Sequence, residues 1–147
     1  MVLLLSSLMF LAGFVLAGLN YRFHWHMMPL WISWAAAAVF LISYGLYGEV
    51  LRENTYLSRT IRVEEHQTVI DTGLYSVVRH PMYAVTLLLF LSMPLVLGCF
   101  WSFLIFLFYP FIIWKRIKNE EQVLKAELTG YTDYCKRVRY RLIPGIW

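Results

Sequence analysis

Charge is sparse in this chain. Asp, Glu, Lys and Arg make up 15% of its 147 residues, against roughly 25% in soluble domains. No acid precedes Glu49, so the first third of the chain has no carboxylate to titrate, pair or hold a cation. Cysteine is limited to Cys99 and Cys135, which excludes a disulfide scaffold. No G-x-G occurs, and that excludes the glycine-rich phosphate turn of a soluble Rossmann-type enzyme. What is abundant is apolar surface: 60% of residues are hydrophobic and 18% aromatic, with a mean hydropathy of +0.59. Disorder is excluded by that content, and a small integral membrane protein remains. The formal net charge of +4 is read against a bilayer. No basic module interleaved with aromatics is visible, so no nucleic-acid partner is expected.

Four uncharged runs can cross a membrane. Val2–Leu19 spans ~27 Å at ~1.5 Å per residue. Val15-Leu16-Ala17-Gly18 could serve as a signal-peptide cleavage site, but the start lacks Lys and Arg and the run is long, so a retained span is expected. Leu30–Tyr47 is the second run. Met82–Leu97 and Phe100–Trp114 are the third and fourth, a tight hairpin turned by Gly98-Cys99 and interrupted by Pro94 and Pro110. Four spans put both termini on one side. Of the 13 Lys and Arg residues, all but Arg22 then share that side. They are Arg52, Arg59, Arg62 and Arg79 in the loop, and Lys115, Arg116, Lys118, Lys125, Lys136, Arg137, Arg139 and Arg141 in the tail. The positive-inside rule makes it the cytoplasmic side. Trp25, Trp31 and Trp101 then mark the outer interface and Trp114 the inner one, and the two cysteines lie on opposite sides. Gly13 with Ala17, and Ala35–Ala38 with Gly45, supply close-approach positions between helices.

The spans hold no mid-membrane acid or base of the kind a proton-coupled transporter keeps. His24 and His26 sit in the outer loop without Cys, Asp or Glu nearby, and read as interfacial rather than as a metal pair. Polar groups converge instead in two segments, Arg59–Tyr83 and Lys115–Arg141. In the first, Thr68-Val69-Ile70 reads as a short extended stretch and Asp71-Thr72-Gly73 as a turn. Pro81 suits the first position of a helix, with His80 non-helical before it. Free backbone N–H groups there would seat a carboxylate or phosphate; equally, Arg79-His80 could merely mark the interface. In the second segment Arg116 and Glu120 are four apart on one helical face. They read either as a surface ion pair or as a guanidinium fork at the bilayer boundary, open to the carboxylate of a bound molecule.

Taken together, these residues resemble a known family. Gly73-Leu74-Tyr75 with Arg79-His80-Pro81-Met82-Tyr83, Arg116 with Glu120-Glu121, and Gly130-Tyr131, Tyr134 and Arg141-Leu142-Ile143-Pro144 match its motifs in order and spacing. The family is that of the isoprenylcysteine carboxyl methyltransferases, and more broadly the membrane methyltransferases that include phospholipid N-methyltransferases. The resemblance covers residues 59–147. It implies an all-α integral membrane protein of about four transmembrane helices. A cytoplasmic cofactor pocket would be formed by the loop before the third helix and the C-terminal helical tail. The chain would be one domain over 1–147, with the first two spans in 1–51 and the catalytic half in 52–147.

The resemblance also implies S-adenosylmethionine as methyl donor, held by Gln67, Thr68, Val69, Ile70, Tyr75, His80, Pro81, Met82, Tyr83 and Glu120. Arg116 and Glu120 would carry the reaction, Arg116 by addressing the acceptor carboxylate. For cofactor binding, Glu121, one residue further round the helix, would matter less than Glu120. The acceptor would be lipophilic, entering from the membrane lipids, with an isoprenylcysteine-like carboxylate as the first reading. A phospholipid or other amphiphile amine is the alternative within the enzyme class. Outside it stands a non-enzymatic four-span transporter or assembly protein.

Overall fold

The computed structural model describes residues 2–54, 56, 63 and 66–147, with residues 2 and 3 described by their backbone alone. Arg59 and Arg62, and with them the start of the first polar segment, lie outside the described residues. The regular structure is helical: α1 Val2–Phe23, α2 Leu30–Glu53, a 3-10 turn Gly73–Ser76, α3 Pro81–Val96, α4 Phe100–Phe106, α5 Tyr109–Glu127 and α6 Tyr131–Arg137. Among the described residues no strand occurs, and Thr68-Val69-Ile70 has no ladder partner. One isolated antiparallel bridge joins Met27 and Cys99.

Among the described residues, three stretches are long and apolar enough to cross a membrane: Leu4–Phe23, Leu30–Glu53 and Phe100–Glu127. The expected third span is shorter. α3 has 16 residues, ~24 Å of rise against a hydrocarbon core of ~30 Å. The expected fourth span, Phe100–Trp114, is not one helix. It breaks at Leu107–Phe108, between α4 and α5. Pro110 has no N–H to donate into a preceding turn and disfavours a helical residue before it, so the helix restarts with Pro110 in the first turn of α5. The polar segment from Lys115 emerges directly from this span, as α5 continues to Glu127.

The chain divides into two compact units. The first comprises Met1–Gly45 and Thr86–Ile113. Here α1 packs on α4. Gly13 is the point of closest approach: Ser102 Oγ donates to the Gly13 carbonyl at 2.9 Å, and the Phe106 ring covers the glycine. Phe10 meets Phe90 and Phe106 edge to face, with centroids 4.7 and 5.2 Å apart. Cys99 caps α4, its Sγ accepting from Ser102 N. Asn20, fully buried, clamps the α1–α2 connection, its Nδ2 donating to the His26 carbonyl and its Oδ1 accepting from His26 N, both at 3.1 Å. A Cβ at Gly13 would lie 2.4 Å from Phe106, whose ring is 1% exposed. Gly13→Ala gains about 1 kcal/mol of helix propensity but overpacks by about 1–3 kcal/mol. A net loss near 1 kcal/mol is expected, read as a lower melting temperature of detergent-solubilised protein. A higher one would mean that the ring has room to yield.

The second unit comprises Leu46–Val85 and Trp114–Trp147. One cluster in it buries Val50, Tyr75 and Val85, with Tyr47, Ile70, Leu74 and Met82 packed around them. A second buries Leu128, Tyr131, Tyr134 and Val138 against Val63, Val69, Leu124 and Cys135. Gly73 (φ +50°) lets the backbone run against the end of α2, since a Cβ there would meet the Glu53 carboxylate at 2.6 Å. Thr72 Oγ1 donates to that carboxylate at 2.6 Å. The chain end lies across the start of α3: Arg79 N donates to the Tyr140 carbonyl and His80 N to the Arg141 carbonyl, both at 2.9 Å.

Candidate functional site

The polar residues of the second unit are arranged in two layers at the start of α3. The deeper layer centres on Glu121, whose side chain is 4% exposed. Its oxygens lie 3.1 Å from Arg79 Nε, 3.3 Å from His80 Nε2 and 3.0 Å from Arg141 Nε. The Arg79 contact is ionic, its Nε–H not aligned for a hydrogen bond. Glu121 thus ties α5 to the loop before α3 and to the C-terminal segment. A buried carboxylate persists only with such compensation.

The upper layer opens on a cavity. Arg116 and Glu120, one turn apart on α5, both line it. Between them stands Tyr83. Arg116 Nε donates to Tyr83 Oη at 2.7 Å, and Tyr83 donates a short hydrogen bond to Glu120 Oε2. The guanidinium also lies 5.7 Å from the Tyr83 ring centroid. The His80 ring stacks on Tyr83 with centroids 5.7 Å apart, and its Nδ1 is 3.9 Å from Glu120 Oε1. Glu120 is accessible where Glu121 is not, its side chain being 26% exposed.

The cavity brings together Gln67, Thr68, Val69, Ile70, Tyr75, His80, Met82, Tyr83, Arg116 and Glu120. Pro81 is the exception among the residues expected there. It is fully buried beneath the first turn of α3 and does not line the cavity; what it does is start the helix that presents Met82 and Tyr83. The expected row of free N–H groups at this helix start is also largely absent. Arg79 and His80 give theirs to the chain end, Pro81 has none, and Tyr83 N bonds the His80 carbonyl. Motif reading passed over other lining residues. Val123, Leu124 and Leu128 continue the α5 face of Arg116 and Glu120 at helical spacing, a periodicity that could have found them. Tyr131 and Tyr134 belong to the C-terminal motif but carried no site role. Asn54, Tyr56 and Arg79 complete the lining; nothing local in the sequence marks Asn54 or Tyr56.

The phenols are fixed by their surroundings. Asn54 Nδ2 donates to Tyr75 Oη at 2.9 Å, and Tyr134 Oη donates to the Tyr75 carbonyl at 2.7 Å. Burial, partly offset by Asn54, pushes the Tyr75 hydroxyl up to about 12. Burial pushes Tyr131 and Tyr134 up as well, with the Glu121 charge adding at Tyr131. All three remain protonated donors at neutral pH. The Tyr131 hydroxyl is buried with no hydrogen-bond partner among the described residues, an uncommon state for a buried polar group. Asp71 and Arg137 pair at 2.8 Å, joining the loop before the 3-10 turn to α6. Among the described residues no group of three or more His, Cys, Asp or Glu could hold a metal ion.

The chain's similarities agree with this architecture. It is 26% identical over 139 residues to the delta(14)-sterol reductase of Mus musculus, an alignment covering 84% of this chain and 33% of the reductase. Its fold is similar to that of a eukaryotic intramembrane Ras methyltransferase, isoprenylcysteine carboxyl methyltransferase. The TM-score is 0.77 at 18% identity, over 96% of this chain and 52% of that one. The chain thus spans about a third of the reductase and about half of the methyltransferase. The model of the phospholipid methyltransferase family matches residues 31–128, from the start of α2 through α5, including the cavity's Arg116 and Glu120. The resemblance read from the motifs is borne out, and the chain belongs to the phospholipid methyltransferase family.

Proposed function

We propose that this protein transfers a methyl group from S-adenosylmethionine to a lipophilic acceptor at the cytoplasmic membrane face, and that the acceptor group is a carboxylate. The observation that carries the reading is the pair of opposite charges, Arg116 and Glu120, held one turn apart at the wall of a single cavity by Tyr83. When bound, S-adenosylmethionine supplies a methyl on a sulfonium, already activated for displacement, together with an ammonium and a carboxylate at its methionyl end. The residues present fit such a molecule. Glu120 offers an accessible carboxylate to an ammonium, and the Tyr131 hydroxyl, without a partner among the described residues, has a hydrogen bond to give. Gln67–Ile70 lines the cavity with irregular backbone, and Tyr75 and Met82 add flat and adaptable apolar surface. Val123, Leu124 and Leu128 form an apolar wall that excludes water from the reacting groups. Arg116 addresses the acceptor carboxylate with its planar fork. A carboxylate needs no proton removed before it attacks, so the chain's work is alignment and desolvation.

The family match supports a second reading, a phospholipid amine as acceptor. Thermal stabilisation by S-adenosylhomocysteine tests the shared part, because a ligand that binds only the folded state raises apparent stability. Labelled-methyl transfer to a farnesylcysteine analogue, against transfer to phospholipid amines, then separates the two acceptors. Glu120→Gln should weaken S-adenosylhomocysteine binding by about 1.5–3 kcal/mol in calorimetry, the usual worth of a hydrogen bond to a charged group. Undiminished affinity would remove Glu120 from the ammonium site. The proposed orientation places Cys135 inside the cell. It should react with an impermeant thiol reagent only after the membrane is opened, and labelling in sealed cells would overturn the orientation.

A further inference from the structure

Arg116 and Glu120 are spaced four residues apart on α5, the separation at which an arginine and a glutamate ordinarily pair directly on a helix. Here they do not meet that way. The phenolic oxygen of Tyr83, from α3, is inserted between them, accepting from Arg116 Nε and donating to Glu120 Oε2. Tyr83 is itself fixed by the His80 ring stacked on it, and His80 is anchored in turn by Glu121. The phenol is well suited to this place, since one oxygen serves as acceptor on one side and donor on the other. A direct ion pair would satisfy both charges mutually and draw them away from any third group.

We propose that Tyr83 is a positioning residue that separates these charges, blocking the direct Arg116–Glu120 ion pair so that both groups stay turned to the cavity. Tyr83 therefore acts on ligand affinity through Glu120, by denying it a competing cation. The inference rests on the reading that Glu120 holds the ammonium of the methyl donor and Arg116 the acceptor.

Calorimetric titration of S-adenosylhomocysteine into the detergent-solubilised full chain tests it through a double-mutant cycle. Tyr83→Phe removes the hydroxyl and lets the pair close; affinity should fall about tenfold. Arg116→Gln alone removes the competitor and should change affinity by less than about threefold. The combination Tyr83→Phe with Arg116→Gln should then recover to within about threefold of the unaltered protein. A residue that merely supports the fold, or contacts the ligand itself, would not be rescued by removing an arginine. A double variant as weak as Tyr83→Phe alone overturns the proposal, and so does a silent Tyr83→Phe. Should both phenylalanine variants fail to fold, Tyr83→Gln replaces them, because its amide can also accept from Arg116 and donate to Glu120. Affinity kept within about threefold supports the bridge, and a tenfold loss overturns it. If S-adenosylhomocysteine does not bind the unaltered protein at all, the methyl-donor reading fails and this inference fails with it. Binding without rescue removes the inference alone.

Discussion

Glu121→Gln is expected to destabilise the protein by about 3–5 kcal/mol, the cost of removing one member of a buried ionic cluster and leaving the others uncompensated. Arg79 is buried as well, and has its guanidinium against this carboxylate, while His80 and Arg141 complete the set. A neutral amide keeps the shape but not the charge, so Arg79 would be left as a desolvated cation. Thermal unfolding of the detergent-solubilised protein, followed by tryptophan fluorescence, should show a large drop in melting temperature. Arg141→Gln should cost less, because Arg141 is part-exposed and water can replace its contact. Glu120→Gln should leave stability nearly unchanged, since its carboxylate already faces the cavity. The ranking by stability is thus the opposite of the one expected for cofactor binding, where Glu121 matters less than its neighbour. Glu120 is placed to meet a ligand, and Glu121 holds together the elements that form the cavity. A loss below about 1 kcal/mol at Glu121 would show that the cluster does not carry this part of the fold.

Arg116→Lys should lower turnover of a carboxylate amphiphile about 100-fold while leaving S-adenosylhomocysteine affinity within about threefold. Lysine keeps the charge but gives up the planar fork, and it lacks the Nε–H that Arg116 donates to Tyr83. An acceptor held by a mobile point charge is poorly aligned with the methyl group, and an error of about 1 Å costs roughly that factor. Methyl transfer at saturating donor, paired with calorimetry, separates the two roles. Unchanged turnover would reject Arg116 as the acceptor contact. Lost donor affinity with intact residual turnover would move it to the donor side of the cavity. The same variant bears on substrate class, because transfer to a neutral lipid amine has little use for a guanidinium and should be far less affected.

The helices, the membrane and the family were legible in the chain because each is written in local pattern. Apolar runs announce spans, Gly13 announces a close approach, and Arg79-His80-Pro81 with Arg116 and Glu120-Glu121 keeps its spacing whatever the rest of the fold does. Most of the cavity followed from the same motifs, since Tyr83, Arg116 and Glu120 carry chemistry that composition makes conspicuous in so apolar a chain. Other features are written in local pattern only in part, or not at all. The break before Pro110, a residue that the sequence marks as interrupting the run, divided the expected fourth span into α4 and the start of a long α5. Pro81 starts α3 as its sequence context indicates, but it is buried and does not line the cavity. The N–H groups of Arg79 and His80 were claimed by carbonyls some sixty residues later, at Tyr140 and Arg141. Glu120 and Glu121 look equivalent as neighbours, yet a helix turns each residue by ~100° from the last. That rotation sends one carboxylate to the cavity and the other into the contacts with Arg79, His80 and Arg141. Which goes where depends on the direction in which α5 faces α3 and the chain end. That direction is set by packing, through long-range contacts that no window of sequence contains.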